Sequence, residues 1–479
     1  MIYTFFAFQR YCLGSKSDVS KVIAGMDWQE LYSFASKQAL LGLCFEGIER
    51  LGKEYPEELR LNPIGRELLM TWMGKAQQIR RQNMKVNAVA SKLFSMLRED
   101  GLRCCILKGQ GNALMYPNPY SRTPGDIDVW IDASRERIME YAQKKYELGD
   151  DIRLQHLETS LDGVPVELHF FPCSMNNPIY HARLQKWFKR NADLQCSHIV
   201  GLPDGAGDIA IPTTAFNVVY QLTHLYHHFF DEGIGMRQII DYFLVVNDFS
   251  KNVFLDYDFS NHPVPLSKEG STFSPSPSQW SLHPLRFPRF RGTETSGSGD
   301  VTAPSRCSEP LRSKDGGASK PSPDCAGWDR RGVSGDTSSA SCSSASGSSI
   351  TSVRSAFTTD SSASTALVVV QRELKYLGLW KFAGAVMYVL KEVLGLAEDK
   401  MIVPMDEKRG RLLLAEIQDG GNFGRHFTKY AGFTHQSMGK KYFLKIWRNM
   451  HFVRYYPAEA LSEPIFRTWH FFWRVKNKK

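Results

Sequence analysis

The sequence predicts an α+β protein, with a small mixed β-sheet core and helical regions before and after it. Three observations lead there. Apolar residues recur at helical spacing through the first hundred positions, as in Trp28, Leu31, Tyr32 and Phe34. From about 101 to 200 the pattern changes to short apolar or alternating runs bounded by Gly and Pro. Helical spacing then returns, and a long Ser-, Pro- and Gly-rich stretch interrupts it. The expected organisation is a helical region over 1–100, a sheet core over 101–200, a second helical region over 201–256, an insert over 257–365 and a helical, basic region over 366–479.

The elements follow in order. Residues 66–99 carry a long amphipathic pattern without an internal Pro, which predicts one long helix. Leu102–Leu107 is a short apolar run after a Gly and reads as a buried strand, ended by Lys108-Gly109. Residues 110–116 fit a short helix, stopped by Pro117 and Pro119, and 117–125 are loop. Asp126–Ile131 alternates polar with apolar and reads as a second strand, followed by a helix over 134–147. Residues 152–160 and 164–170 read as a hairpin turning at Asp162-Gly163. Pro165 suggests that the second arm starts at an edge or a strand end. Thr213–Asn247 is helical, with Thr213 or Thr214 as cap and a break over 231–235. Between Val301 and Thr365 there are 19 Ser in 65 residues. So polar a segment cannot bury the apolar surface that would offset the entropy of ordering, and the 257–365 insert is expected to be disordered. Residues 366–395 are again strongly helical.

The net charge of +9 is unevenly spread. Met438–Lys479 holds ten Lys or Arg against Glu459 and Glu463, so a charge of +8 sits in that segment alone. It reads either as a solvated basic face or as a contact for an anionic partner such as nucleic acid or lipid headgroups. No RNA-binding module is recognisable. The nine cysteines form no CxxC pair, which argues against a structural zinc site and for buried thiols in a reducing compartment. No run reaches the ~18 apolar residues of a membrane span, and Met1–Gly14 lacks the basic lead and cleavage site of a signal peptide. A cytoplasmic protein with no integral membrane segment is expected.

Asp126 and Asp128 stand two apart on a predicted strand, so period-2 geometry puts both on one face. Paired carboxylates repel each other and lose hydration on burial unless a cation neutralises them. Mg²⁺, a hard oxygen-preferring ion, does so while holding substrate phosphates. Two such ions can clamp the attacking and leaving oxygens of phosphoryl or nucleotidyl transfer. Glu167 is the candidate third carboxylate: between Val166 and Leu168 it points to the face opposite theirs, and His169 shares its face. A lone Asp-x-Asp is more often a solvated strand face. Gly125 directly before the pair, and Lys108-Gly109 upstream, shift that balance. Gly109 lets backbone N–H groups approach phosphates, and Lys108 and Arg122 are natural phosphate contacts, one a point charge and the other a bidentate fork.

These motifs together resemble the uncharacterised bacterial nucleotidyltransferase family of the DNA polymerase β-like superfamily. The resemblance rests on Ile106-Leu107-Lys108-Gly109, Tyr116-Pro117, Arg122 and Gly125-Asp126-Ile127-Asp128, then Glu167-Leu168-His169. It continues in His224 with His227 or His228, and in Gly235-Met236-Arg237 with Asp241. It covers roughly residues 1–250 and resumes from 366. It implies a small nucleotidyltransferase sheet in which Asp126, Asp128 and Glu167 are the metal-binding carboxylates. It implies Mg²⁺ or Mn²⁺ as cofactor, an NTP as substrate and a hydroxyl acceptor. Lys108, Gly109, Arg122, Gly125, His169, Arg237 and Asp241 become candidate nucleotide or substrate contacts. Association of relatives with surface-polysaccharide genes points to a sugar-linked role. The wider superfamily carries Gly-Ser before the carboxylate pair, and here Gly109 is followed by Gln110. His224, His227 and His228 have helical spacing but neither a metalloprotease-type Glu nor nearby Cys, so they read as packed or substrate-facing rather than as zinc ligands. Arg237 and Asp241 are i, i+4 on a helix and can pair with each other. The expected activity is metal-dependent nucleotidyl transfer; the alternative is a catalytically inactive binding or regulatory protein of the same fold.

Overall fold

A computed structural model describes residues 2–16, 18–146, 153–252, 359–422 and 438–477. The first helices are α1 (Ile2–Cys12), α2 (Ser20–Ala24), α3 (Trp28–Lys37), α4 (Leu41–Glu54), α5 (Pro56–Leu61) and the long α6 (Arg66–Glu99). The core then runs β1 (Cys104–Leu107), α7 (Gly109–Ala113), β2 (Ile127–Ile131), α8 (Arg135–Lys145), β3 (His156–Leu161) and β4 (Val164–His169). Next come α9 (Pro178–Ser197), β5 (Ile199–Gly201) and β6 (Asp208–Ala210), which the sequence pattern had not announced. The chain continues with α10 (Thr214–Asp231), α11 (Met236–Asn252), α12 (Thr359–Tyr376), α13 (Trp380–Leu394), α14 (Glu407–Gly420), α15 (Met438–Met450) and α16 (Pro457–Asn477).

The fold is α+β, with a mixed four-stranded sheet in the order β1-β2-β4-β3. β1 runs antiparallel to β2, β2 parallel to β4, and β3 antiparallel to β4. The hairpin turns in two residues, Asp162 at φ +50° and Gly163 at φ +71°, the paired left-handed conformation that an Asp-Gly loop supplies. Pro165 lies on a central strand, at the end that runs past β2, whose pairing begins only at Val166.

Both faces of the sheet are covered. Ile127, Val129, Ile131, Val166 and Leu168 pack against α6 and α8 residues such as Leu93, Phe94 and Ile138. The other face presents Trp130 to α9 and α10, where it stacks on Phe216, itself stacked on Trp187 at 4.5 Å between ring centroids. Asp128 shares that second face and is 6% exposed. The carboxylate therefore lies between the sheet and a helical layer rather than on a solvated strand face.

Several expectations need correcting. Asp126 lies one residue before β2, because strand pairing starts at Ile127. The 366–395 segment is two helices, broken at Gly378 with φ +73°. α12 begins at Thr359, so the last seven positions of the expected insert are helical; a nucleated helix extends cheaply by one hydrogen bond per residue. The rest of that insert lies outside the described residues. Thr213 is the N-cap of α10 but makes no side-chain cap bond, and Thr214 donates instead to Asp248 Oδ2 at 2.5 Å.

One buried ion pair ties the loop before β2 to the helical layer. Arg122 donates through Nε and Nη2 to the two Asp241 oxygens at 2.9 and 2.8 Å, and Tyr116 Oη donates to Asp241 Oδ1 at 2.7 Å. Arg122, Asp241 and Tyr116 are all buried. Removing one partner of such a pair strands a buried charge. Arg122→Met is expected to lower unfolding stability by roughly 3–5 kcal/mol, and Arg122→Met/Asp241→Leu to recover part of that loss. Denaturant unfolding measures both; a single variant within about 1 kcal/mol of the parent would show that the pair does not hold this loop.

Candidate active site

Parallel pairing of β2 with β4 sets Asp128 directly opposite Glu167, and Trp130 opposite His169. Val166 and Leu168 fill the core on the far face, so Glu167 and His169 lie on the Asp128 side. His169 Nε2–H donates to Asp128 Oδ1 and to Glu167 Oε2, at 3.1 Å in each case. Lys108 Nζ lies 3.1 Å from the same Asp128 oxygen and donates to His224 Nε2 on α10. Lys108 has φ +51°, a conformation that costs a non-glycine residue strain. That backbone turn directs the ammonium onto Asp128.

The charges follow from this geometry. Burial alone would raise the Asp128 pKa, but Lys108 and His169 outweigh it and hold the carboxylate far below the usual range. Burial alone would lower His169, but its bonds to Asp128 and Glu167 push it up to about 9, so it is an imidazolium at neutral pH. Burial raises Glu167, and His169 more than offsets this, leaving it lowered and ionised. His224 is held neutral by burial and by the Lys108 charge, and so accepts from Lys108.

Asp126 and Asp128 line a cavity of about 60 Å³ together with Lys108, Gly109, Arg122, Gly125 and His224. Arg237 and Asp241 also border it. Asp126 is exposed at its mouth, and the charge of Asp128 pushes its pKa up to about 6. No ion pair to Asp126 occurs among the described residues. A neutral-pH carboxyl pushed upward by its neighbour marks excess negative charge, which a divalent cation would relieve. The Asp126 and Asp128 carboxylates offer hard oxygen atoms of the kind that suit Mg²⁺ or Mn²⁺, while Glu167, opposite Asp128 on β4, does not line this cavity.

The proposed phosphate contacts are placed unevenly. The Arg122 fork is committed to Asp241 rather than turned to the cavity, because the buried carboxylate takes both of its parallel N–H groups; only Nη1 has no partner. Arg237 donates to the Thr123 carbonyl at 3.0 Å and faces the Arg122–Asp241 pair. Gly109 has φ +42° and opens α7. Gln110, which follows it, is buried and bonds Asn87 on α6, so its side chain faces away from the cavity. Asn112 and Gln221 exchange reciprocal amide bonds of 3.0 and 2.6 Å that join α7 to α10.

One residue escaped the sequence reading. His156 on β3 pairs with His169 across the hairpin, and its Nδ1 lies 3.4 Å from Glu167 Oε2. The signal was available: a two-residue turn fixes the register, and hence which residues share a face. His156, Glu167 and His169 offer donor atoms within 4.8 Å of one another, a set that could also hold a metal ion. Among the histidines of α10, His224 faces Lys108, while His228 stacks near it at 4.3 Å and is held neutral by burial.

The imidazolium bridge makes stability depend on pH. The folded pKa of His169, about 9, lies above its ordinary 6.5. Its contribution is fully present below pH 6.5 and is lost as the pH rises through about 9. That contribution is on the order of 3 kcal/mol. Without metal, the stability difference between the parent and His169→Gln should close over this window in denaturant titrations. A difference that stays constant across it would refute the charged bridge.

No curated protein and no solved structure matches the chain. The fold, the in-register carboxylates and the lysine-bearing turn before them agree with one family model, described as uncharacterised nucleotidyltransferase, which matches residues 24–260. That family is nucleotidyltransferase-like, and its match spans residues 24–260 of this chain.

Proposed function

We propose that the protein moves a nucleoside monophosphate from an NTP to a hydroxyl acceptor, with Mg²⁺ or Mn²⁺ as cofactor. The observation that carries this reading is the pairing of Asp128 with Glu167 on adjacent strands, with Asp126 at the mouth of the same cavity. Asp126, Asp128 and Glu167 would hold the metal. Bound there, a divalent ion supplies charge stabilisation for the phosphates.

The chain's own residues do the rest. Lys108 holds Asp128 ionised and lines the cavity with positive charge. Arg122 Nη1 and Arg237 add positive charge on the α11 side. Glu167, ionised, takes the proton of the acceptor hydroxyl. The hydroxyl oxygen forms a bond to the α-phosphorus. The bond from that phosphorus to the bridging oxygen breaks, and pyrophosphate leaves with the electron pair. The acceptor is a hydroxyl compound of the sugar-linked kind that the family resemblance implies. An NTP substrate fits a cytoplasmic setting, as do six free cysteines among the described residues. No helix among those residues is long and apolar enough to cross a membrane.

A second reading, a binding or regulatory protein without catalysis, is favoured by a specific observation. Lys108 and His169 already neutralise Asp128 and Glu167, and buried Gln110 stands where the superfamily places a phosphate-contacting Ser. The two readings separate in one assay. Full-length protein, Mg²⁺ or Mn²⁺, labelled NTPs and cell extract should release pyrophosphate, and Asp128→Asn should slow that release by roughly 10²-fold or more. NTP binding without turnover would select the second reading, and equal turnover by parent and variant would sink the first.

A further inference from the structure

A second and larger cavity, of about 300 Å³, shares no lining residue with the Asp126–Asp128 cavity. His156 lines this cavity, and its Nδ1 lies 3.4 Å from Glu167 Oε2, which lines neither cavity. α10 borders both cavities, with His224 in the small one and His227 and Asp231 in the large one. α15 and α16, which lie beyond the family match, contribute Lys445, Arg467 and Arg474, and Arg153, Ser174 and Asn176, on either side of the β3–β4 hairpin, also line it.

The lining is cationic. Arg153, Lys445, Arg467 and Arg474 face the cavity against one carboxylate, Asp231. Lys445 Nζ and Arg467 Nη2 both bond the same oxygen, Asp231 Oδ1, at 2.9 and 3.0 Å. Glu158 and Glu463 meet Arg153 and Arg467 from outside the lining. A lysine carries three N–H donors and an arginine five, so neither Lys445 nor Arg467 is exhausted by Asp231. His156 is 9% exposed, and neither ring nitrogen has a hydrogen-bond partner. The volume is at the lower end of small-molecule sites.

We propose that this cavity binds the acceptor, and that the acceptor is a small phosphorylated hydroxyl compound. This rests on the transfer reading above. In-line displacement puts the attacking hydroxyl on the opposite side of the α-phosphorus from the leaving pyrophosphate. With the nucleotide at Asp126 and Asp128, the acceptor hydroxyl would approach Glu167 past His156, from the larger cavity rather than the smaller one. Its phosphate is held at the distal end by Lys445, Arg467 and Arg153. The chain after residue 260 thereby selects the acceptor for a core that handles the nucleotide.

The test uses full-length protein and inorganic phosphate as the probe, with calorimetry at fixed ionic strength. Phosphate should bind the parent and Asp128→Asn alike. It should bind Lys445→Met and Arg153→Ala about tenfold more weakly or worse, with ATP binding unchanged in both. Arg153 is half exposed and paired only at the surface, so its variant guards against misfolding of the Lys445 variant. In extract-stimulated turnover, phosphate should compete with the acceptor and not with the NTP. Equal phosphate affinity in all variants, or its loss in Asp128→Asn alone, would overturn the proposal. So would binding to phosphatidylglycerol vesicles that needs Lys445 and ignores saturating phosphate, since a lipid surface would then be the partner. If phosphate binds as expected but Asp128→Asn leaves turnover unchanged, the transfer reading fails and the cavity remains an anion site.

Discussion

Asp128 and Glu167 are held side by side on adjacent parallel strands and covered by a helical layer. Like charges at strand spacing, shielded from water, repel strongly, and neither can stay ionised without a countercharge. Much of the local structure can be understood as the answer to that constraint. His169, two residues beyond Glu167, bridges both carboxylates as an imidazolium. Lys108 accepts a strained backbone to reach Asp128. Asp126, which forms no ion pair among the described residues and whose pKa the Asp128 charge pushes upward, carries the residual negative charge at the cavity mouth. A protein that only needed a stable sheet would place apolar side chains at these positions. Retaining the adjacent Asp128 and Glu167 carboxylates is a cost in stability that the proposed metal and phosphate chemistry would account for.

The surrounding polar contacts hold that cleft in shape. Tyr116, Arg122 and Asp241 fasten the loop that delivers Gly125 and Asp126. Asn112 and Gln221 fasten the turn that delivers Lys108. The C-terminal helices join the same framework: Glu459 on α16 accepts the Asn176 and Asn177 amides, just after β4, at 2.5 and 3.2 Å. Basic residues of that segment are partly spent inside the fold, as with Lys445 and Arg467 on Asp231 and Arg448 on Glu416. Of these residues, Lys445 and Arg467 also line the larger cavity.

What was legible in the sequence was local. Alternation across Asp126–Ile131, the apolar run at Leu107 and the Asp162-Gly163 turn located the strands to within a few residues, because each depends on near neighbours. The face shared by Glu167 and His169 followed from strand period alone. Arg122 was misjudged for a different reason: its partner Asp241 lies 119 positions away, and no local pattern says that a fork will close on a buried carboxylate rather than a phosphate. Likewise, Lys445 and Arg467 read as solvated charge because Asp231 is more than 200 positions away. His156 lay within reach of the register argument but carried no motif of its own. The sheet core was therefore readable from the sequence and the walls of the larger cavity were not, since tertiary packing brings their pieces together.

The paired carboxylates are proposed to form a divalent-metal site for nucleotide binding. Mn²⁺ binding followed by electron paramagnetic resonance tests this most directly. The account predicts that the protein immobilises Mn²⁺, that NTP tightens the binding, and that Asp128→Asn abolishes it while leaving the fold intact. Absence of bound Mn²⁺ with saturating NTP, or equal binding by Asp128→Asn, would contradict it.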